Sequence, residues 1–275
     1  MNQPAFILWV LCSVGVNVWA QTPPQSPPGA GPQCLAQAYP DFWGPWRGEL
    51  APDNTLTTRS GDSWVYNELK DPLSQTALLD QADLMTQMAQ AYPAGFPAAI
   101  PGPNQDPGRM RSEALFKALY GHTREAVQHH LVSVPWAPNG RSLPFNRLHG
   151  AASALQRVGE SLAQHPELAA YVRQPAGSFY WRNIAGTARK SMHAFGAAVD
   201  FALPRQLGRY WQWRGCKEDG PCPYPEAVLR DPLLQQVVLA FEKEGFIWGG
   251  KWAHFDTVHF EYRPELVGSS CKNVK

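Results

Sequence analysis

Ser191-Met-His-Ala-Phe-Gly-Ala-Ala-Val-Asp200 and, further along the chain, Asp256-Thr-Val-His-Phe-Glu261 are the two stretches on which the reading of this chain turns. Each ends in a short strand-like run, Ala198 to Leu203 and Thr257 to Tyr262. The second run alternates. Thr257, His259 and Glu261 are expected on one face of a strand, with Val258, Phe260 and Tyr262 on the other. Gly196 lets the backbone turn between His193 and the strand that carries Asp200. Asp200 sits in Ala-Val-Asp-Phe-Ala-Leu, where a carboxylate is costly unless it is paired or bound to a metal. Taken alone, Asp200 could instead cap a turn or meet an arginine.

Two histidines and two aspartates in these compact stretches suggest a metal site. A catalytic zinc takes three protein ligands and keeps a fourth position for water. His193, Asp200 and His259 supply two imidazoles and a carboxylate. A second carboxylate beside the metal can take a proton from that water. Asp256, at the mouth of the second strand, is the candidate base.

Helical signals surround these stretches. Ala151, Leu155, Val158 and Leu162 mark one helix face. Asp231-Pro232 opens another helix, with Leu234, Val237, Val238 and Phe241 on one side and Gly245 at its end. Upstream, Ser74 to Tyr92 reads as a helical face through Leu78, Ala82, Met85 and Ala89. Ser112 is placed to cap a helix that Gly121 ends. Asp106-Pro107-Gly108 reads as a turn. No chemical constellation is evident in this half. Adjacent His129 and His130 would point about 100° apart on a helix, so a shared metal is not expected there.

The chain has 275 residues, 44% of them hydrophobic, enough for a substantial core. Lys plus Arg number 24 and Asp plus Glu 23, which gives no electrostatic reason to expect nucleic acid as a partner. Phe6 to Val18 is an uncharged apolar run, too short to span a membrane, followed by Val18-Trp19-Ala20. This pattern predicts a signal peptide over residues 1–20, although its leading residues lack Lys and Arg. An uncleaved anchor is the alternative. Residues 21–33 read as a Pro-rich linker, 34–141 as a mainly helical N-terminal extension and 142–275 as the zinc-bearing domain. Past the signal, Cys34, Cys216, Cys222 and Cys271 form an even set, which in an exported protein implies disulfides. Four cysteines allow three pairings. A local Cys216–Cys222 bridge would leave Cys34 and Cys271 to tie the chain ends together.

The two motifs resemble those of the zinc D-Ala-D-Ala carboxypeptidases and dipeptidases and of the related L-alanyl-D-glutamate endopeptidases. These belong to the lysostaphin, D-Ala-D-Ala peptidase and sonic hedgehog superfamily. Ser191, His193, Gly196, Ala198 and Asp200 match the first motif, and His259, Phe260 and Glu261 the second. Gly245-Phe246 and Trp248-Gly249-Gly250 resemble the approach to it. The resemblance runs from about Phe145 to Pro264. It implies that His193, Asp200 and His259 hold zinc and that Asp256 is general base and later proton donor. Dipeptidase relatives carry Glu there, so Asp256 tilts the comparison toward endopeptidases. The family also uses an arginine upstream of the first motif on the scissile carbonyl or a substrate carboxylate. Arg182 is nominated, with Arg189 in reserve.

Other residues have weaker claims. His254 is assigned either a role next to the ligands and substrate or a solvated loop position. Glu261 would orient His259, or else form a surface salt bridge. Ser191 would shape the His193 loop by a hydrogen bond, since no nucleophile elbow surrounds it. Trp248 and Trp252 would line the cleft or pack in the core.

The expected fold is α+β: a small antiparallel sheet carrying a zinc site, flanked by helices. The expected function is a periplasmic or secreted, monomeric zinc peptidase. It would cut next to a D-amino acid in peptidoglycan peptide. The alternatives are a non-catalytic zinc module that binds wall peptide or a partner protein, and a disulfide-stapled structural protein.

Overall fold

A computed structural model describes residues 30–68 and 73–267. The segment read as a signal peptide lies outside the described residues, as does Cys271. The first described helix, α1 (Ala30–Ala38), begins inside the stretch read as linker. A hairpin follows, β1 (Thr55–Thr57) with β2 (Ser63–Val65). Next come helices α2 (Gln75–Gln81) and α3 (Leu84–Met88). The single helical face expected from Ser74 to Tyr92 is therefore two short helices. Ala82 leaves helical geometry at ψ 126°, and the Asp83 carboxylate starts a new helix by accepting from the Thr86 N–H. The local cap overrides the longer apolar period.

Helices α4 (Glu113–Tyr120) and α5 (Arg124–His129) lead to the hairpin of β3 (Leu131–Trp136) and β4 (Arg141–Asn146). Ser112 caps α4 and Gly121 follows it, as the sequence indicates. The extension is thus not only helical, and its second hairpin spans the 141/142 boundary. Past it come α6 (Ala151–Ala163), α7 (Pro166–Tyr171), β5 (Pro175–Gly177) and β6 (Ala198–Phe201). The last elements among the described residues are α8 (Pro232–Lys243), β7 (Phe246–Trp248), β8 (His259–Tyr262) and α9 (Pro264–Val267). Asp231 caps α8, accepting from the N–H groups of Leu233 and Leu234.

The site rests on a four-stranded antiparallel sheet in the order β5-β6-β8-β7. This is the α+β arrangement expected. Strand β8 starts at His259, two residues later than the sequence pattern indicates. Thr257 is pulled out of the ladder because its hydroxyl bonds the Leu207 and Arg209 carbonyls and accepts from the Arg209 N–H.

The pleat sorts the side chains. Val199, Phe201, Phe246, Trp248, Phe260 and Tyr262 join α6, α7 and α8 in one hydrophobic cluster. Ala198 and Ile247 join α1, α3 and α4 in a second cluster on the other side. The extension therefore shares a core with the sheet. Asp200, His259 and Glu261 lie on the second side, because Asp200 pairs across from His259 and Ala198 across from Glu261.

Candidate metal and catalytic site

The first motif folds into one tight turn. Ser191 caps it, its hydroxyl accepting from the His193 N–H at 3.4 Å. A single 3₁₀ turn, Met192–Phe195, presents His193, and Gly196 closes it at φ 64°. A Cβ at Gly196 would stand 2.5 Å from the Leu131 side chain, so both conformation and space require glycine. The end of β4 secures the turn. The Asn146 N–H donates to the Gly196 carbonyl at 2.8 Å and its amide to Phe195 at 3.0 Å. Strand β6 then delivers Asp200, and β8 delivers His259.

These three side chains converge. Asp200 Oδ1 lies 3.1 Å from His193 Nε2 and 2.9 Å from His259 Nδ1. One ligand atom from each residue lies within 4.8 Å of the others, and among the described residues this is the group able to share an ion. In a tetrahedral zinc site with bonds of ~2.0–2.2 Å, ligand atoms stand roughly 3.3–3.5 Å apart; the two Asp200 pairs fall a little short of this range and the set as a whole lies within 4.8 Å.

Hydrogen bonding shows that the donor set fits a cation. His193 Nδ1 faces the Ser178 carbonyl at 3.1 Å. A carbonyl only accepts, so Nδ1 carries the proton and Nε2 a lone pair. That Nε2 is buried without a hydrogen-bond partner. His259 Nε2 faces the Glu261 carboxylate at 3.0 Å, which leaves the Nδ1 lone pair toward Asp200. Three electron-rich atoms so close repel unless a proton or a metal ion lies among them. Without an ion, protons take the role. Burial alone would lower the His259 pKa, but hydrogen bonds to Asp200 and Glu261 outweigh it and push it up to about 10. Burial would raise the Asp200 pKa, yet the two imidazoles hold it well below the usual carboxylate range.

Asp256 stands beside this trio. Its N–H donates to Gly249 at 2.9 Å, and a Cβ on Gly249 would lie 2.6 Å from the Asp256 carbonyl oxygen. The small residue in Trp248-Gly249-Gly250 thus admits the Asp256 backbone. The side chain is half-buried, and its Oδ1 has no hydrogen-bond partner among the described residues. Burial pushes its pKa up to about 7; His259 opposes the shift and Asp200 adds to it.

A cleft of about 620 Å³ opens over these residues, lined also by Arg109, Arg111, Arg182, Arg189 and Trp252. Arg182 is exposed; its backbone carbonyl accepts from the Ser191 N–H, and among the described residues its guanidinium hydrogen-bonds only the Asn183 carbonyl, at 3.2 Å. Arg189 pairs with Asp80 at 2.9 Å.

Several expectations change. Trp248 is fully buried in the core, stacked on Phe96, and its indole N–H donates to the Thr257 carbonyl. The cleft position belongs to Trp252. His254 is no solvated loop residue. It is 6% exposed, with Nδ1 2.7 Å from Asp106 and Nε2 2.9 Å from the Glu218 carbonyl. Two acceptors occupy both ring nitrogens, so neither remains for a metal or an oxyanion. Glu261 is buried, not a surface residue, and it orients His259.

The first half of the chain does contribute to the site. Asp106, read only as part of a turn, holds His254, while Arg109 and Arg111 line the cleft. The Cys216–Cys222 disulfide forms, with its Cα atoms 5.4 Å apart. Its loop carries Glu218, which grips Arg109 with both oxygens at 2.9 and 3.0 Å. Cys34 is also disulfide-bonded. Tyr210, bridged to Asp256 through the backbone, lines the cleft with its phenol pushed up to about 12 by burial and by Asp256. The aromatic run Tyr210-Trp-Gln-Trp213 was its only sequence signal.

Comparison with known families agrees with the motif resemblance. Residues 185–262, less than a third of the chain, match the family model described as D-alanyl-D-alanine carboxypeptidase. This match supports a peptidase of that type. The matched segment holds His193, Asp200, Asp256, His259 and Arg189, and it begins after Arg182. No curated protein and no solved structure gives a significant match.

Proposed function

We propose that this protein is a zinc metallopeptidase that hydrolyses a peptide bond next to a D-amino acid in peptidoglycan peptide. The bond is of the D-Ala-D-Ala or L-Ala-D-Glu type. The observation that carries the reading is the convergence of the His193, Asp200 and His259 lone pairs beside the unpartnered oxygen of Asp256. Zinc held by that trio supplies Lewis acidity, which polarises a carbonyl and makes water acidic near neutral pH. Ser178 and Glu261 hold the two imidazoles in the tautomers a metal requires. Asp256, whose Oδ1 has no hydrogen-bond partner among the described residues, takes a proton from water in the cleft. It then returns a proton to the departing amine. Arg182, free of carboxylate partners among the described residues, binds the scissile carbonyl or a substrate carboxylate from the rim. Arg189 already pairs with Asp80, which makes it the weaker candidate. The Cys216–Cys222 disulfide suits a secreted or periplasmic protein, and no described helix is long and apolar enough to cross a membrane.

The test is mass spectrometry of defined muropeptides incubated with the purified protein, beside metal analysis of the same sample. Stoichiometric zinc and cleavage that a chelator abolishes and added zinc restores are expected. Cleavage that persists in metal-free protein, or no cleavage of any muropeptide, refutes the proposal.

A further inference from the structure

One run of buried charges leaves the cleft and ends in the N-terminal extension. From His259 onward, every second residue carries it. Glu261 Oε2 receives His259 Nε2 at 3.0 Å, and Glu261 Oε1 receives Arg263 Nη1 at 2.8 Å. Arg263 Nε donates to Glu265 Oε1 at 2.5 Å. Glu265 Oε2 then accepts the Tyr39 hydroxyl at 2.6 Å, and its Oε1 accepts the Gln87 amide at 3.1 Å. The Gln87 amide is fixed at its other end, where Oε1 accepts from the Ser112 N–H at 2.9 Å. Tyr39 follows directly on α1, and Gln87 lies on α3. Arg263 and Glu265 are 0% exposed and Glu261 is 2%.

Stability alone does not account for this run. Burying ions costs several kcal/mol each, and apolar replacements of buried ion pairs are often neutral or stabilising. What the run does control is geometry. Glu261 aims the His259 ring, Arg263 holds the second oxygen of Glu261, and Glu265 holds Arg263. Tyr39 and Gln87 fix both oxygens of Glu265.

We propose that Arg263 and Glu265, with Tyr39 and Gln87 of the extension, are positioning residues that set the His259 imidazole for metal binding. The N-terminal extension is then part of the metal site and not an appended module. The zinc in this statement rests on the function proposed above.

The experiment measures zinc affinity of the full-length chain by chelator competition. Tyr39→Phe removes one hydroxyl and keeps the buried ring, and Glu265→Gln removes one charge. Leu35→Ala is the control, since it removes buried packing beside Tyr39 while keeping the Leu35 carbonyl that accepts the Tyr39 N–H and every side-chain bond of the run. Glu265→Gln should weaken zinc on the order of tenfold, the lower end for outer partners of a ligand. Tyr39→Phe should weaken it less, and Leu35→Ala should leave it unchanged while lowering the melting temperature. Wild-type affinity in Tyr39→Phe and Glu265→Gln overturns the proposal, as does equal weakening by Leu35→Ala. A second readout is the His259 Nε2–H resonance of metal-free protein, which Tyr39→Phe should shift. An unshifted resonance also overturns it. If the wild type binds no zinc, the function proposed above fails, while this resonance still decides the role of the run.

Discussion

The two faces of the four-stranded sheet are built from alternate residues of the same strands, yet they follow opposite rules. On one face Val199, Phe201, Phe260 and Phe246 pack into hydrocarbon with α6 and α8. Phe260 stacks on Phe241 at 4.2 Å between ring centroids. On the other face His259 and Glu261 are buried and Asp200 is half-buried at the cleft, and the three are surrounded by one another. The apolar face needs only the right volume, because dispersion and the hydrophobic effect have little directionality. The polar face needs named partners at hydrogen-bond distance, because an unmatched buried charge is strongly unfavourable. A strand can therefore carry a site on one side only where the other side anchors it.

Substitutions on each face should separate these roles. The largest effects fall on the polar face. His193→Ala and His259→Ala should lose stoichiometric zinc and all turnover, measured by metal analysis and muropeptide cleavage. Asp256→Ala should keep zinc and lose about 10²–10⁴-fold in turnover. Full activity in the Asp256 variant would refute its role as base.

Next comes the apolar face. Phe260→Ala should destabilise the metal-free protein by about 3–5 kcal/mol in urea unfolding. A loss below ~1 kcal/mol would mean that α8 does not depend on this contact.

A smaller effect is expected at the pair that braces the cleft from the extension. Asp106 and Arg109 raise and lower the His254 pKa respectively. Burial lowers it first, but the Asp106 hydrogen bond prevails and the shift is upward from 6.5. The stability His254 contributes is thus fully present below about pH 6.5 and fades as pH rises through the higher folded value. Asp106 is shifted downward, with its burial penalty outweighed by His254 and Arg109. Its contribution is present above about pH 4 and fades as pH falls through the lower folded value. The gap in unfolding free energy between the wild type and His254→Gln should therefore narrow from pH 6.5 to 9. A gap independent of pH would show that the pair carries no linked proton.

The smallest effect lies beneath the apolar face. Asp231→Ala removes the cap of α8 and should cost about 1 kcal/mol of stability with zinc affinity unchanged.

Much of this contrast is legible in the residues themselves. The alternation Val258-His-Phe-Glu-Tyr262 announces a strand with two unlike faces. Asp231-Pro232 and Ser112 mark helix starts because caps act through neighbouring N–H groups. His193, Asp200 and His259 stand out because a histidine and a carboxylate in apolar runs need a partner. Where short-range reading failed, a local bond overruled a pattern, as at Asp83, which divides one expected helix into two. Trp248 and Trp252 look alike in sequence, and only packing sends Trp248 wholly into one core while Trp252, buried in the other, also borders the cleft.

The sequence by itself marked the candidate ligands, the candidate base and the alternating strand, since each is legible from neighbours a few residues away. Tertiary structure alone decided that Asp106 meets His254, that Glu218 meets Arg109 and that Tyr39 meets Glu265. Such partners are distant in the chain, and a charged group accepts any of several matching side chains equally well. Which one it receives depends on how the intervening helices pack, and residue identity does not encode that locally.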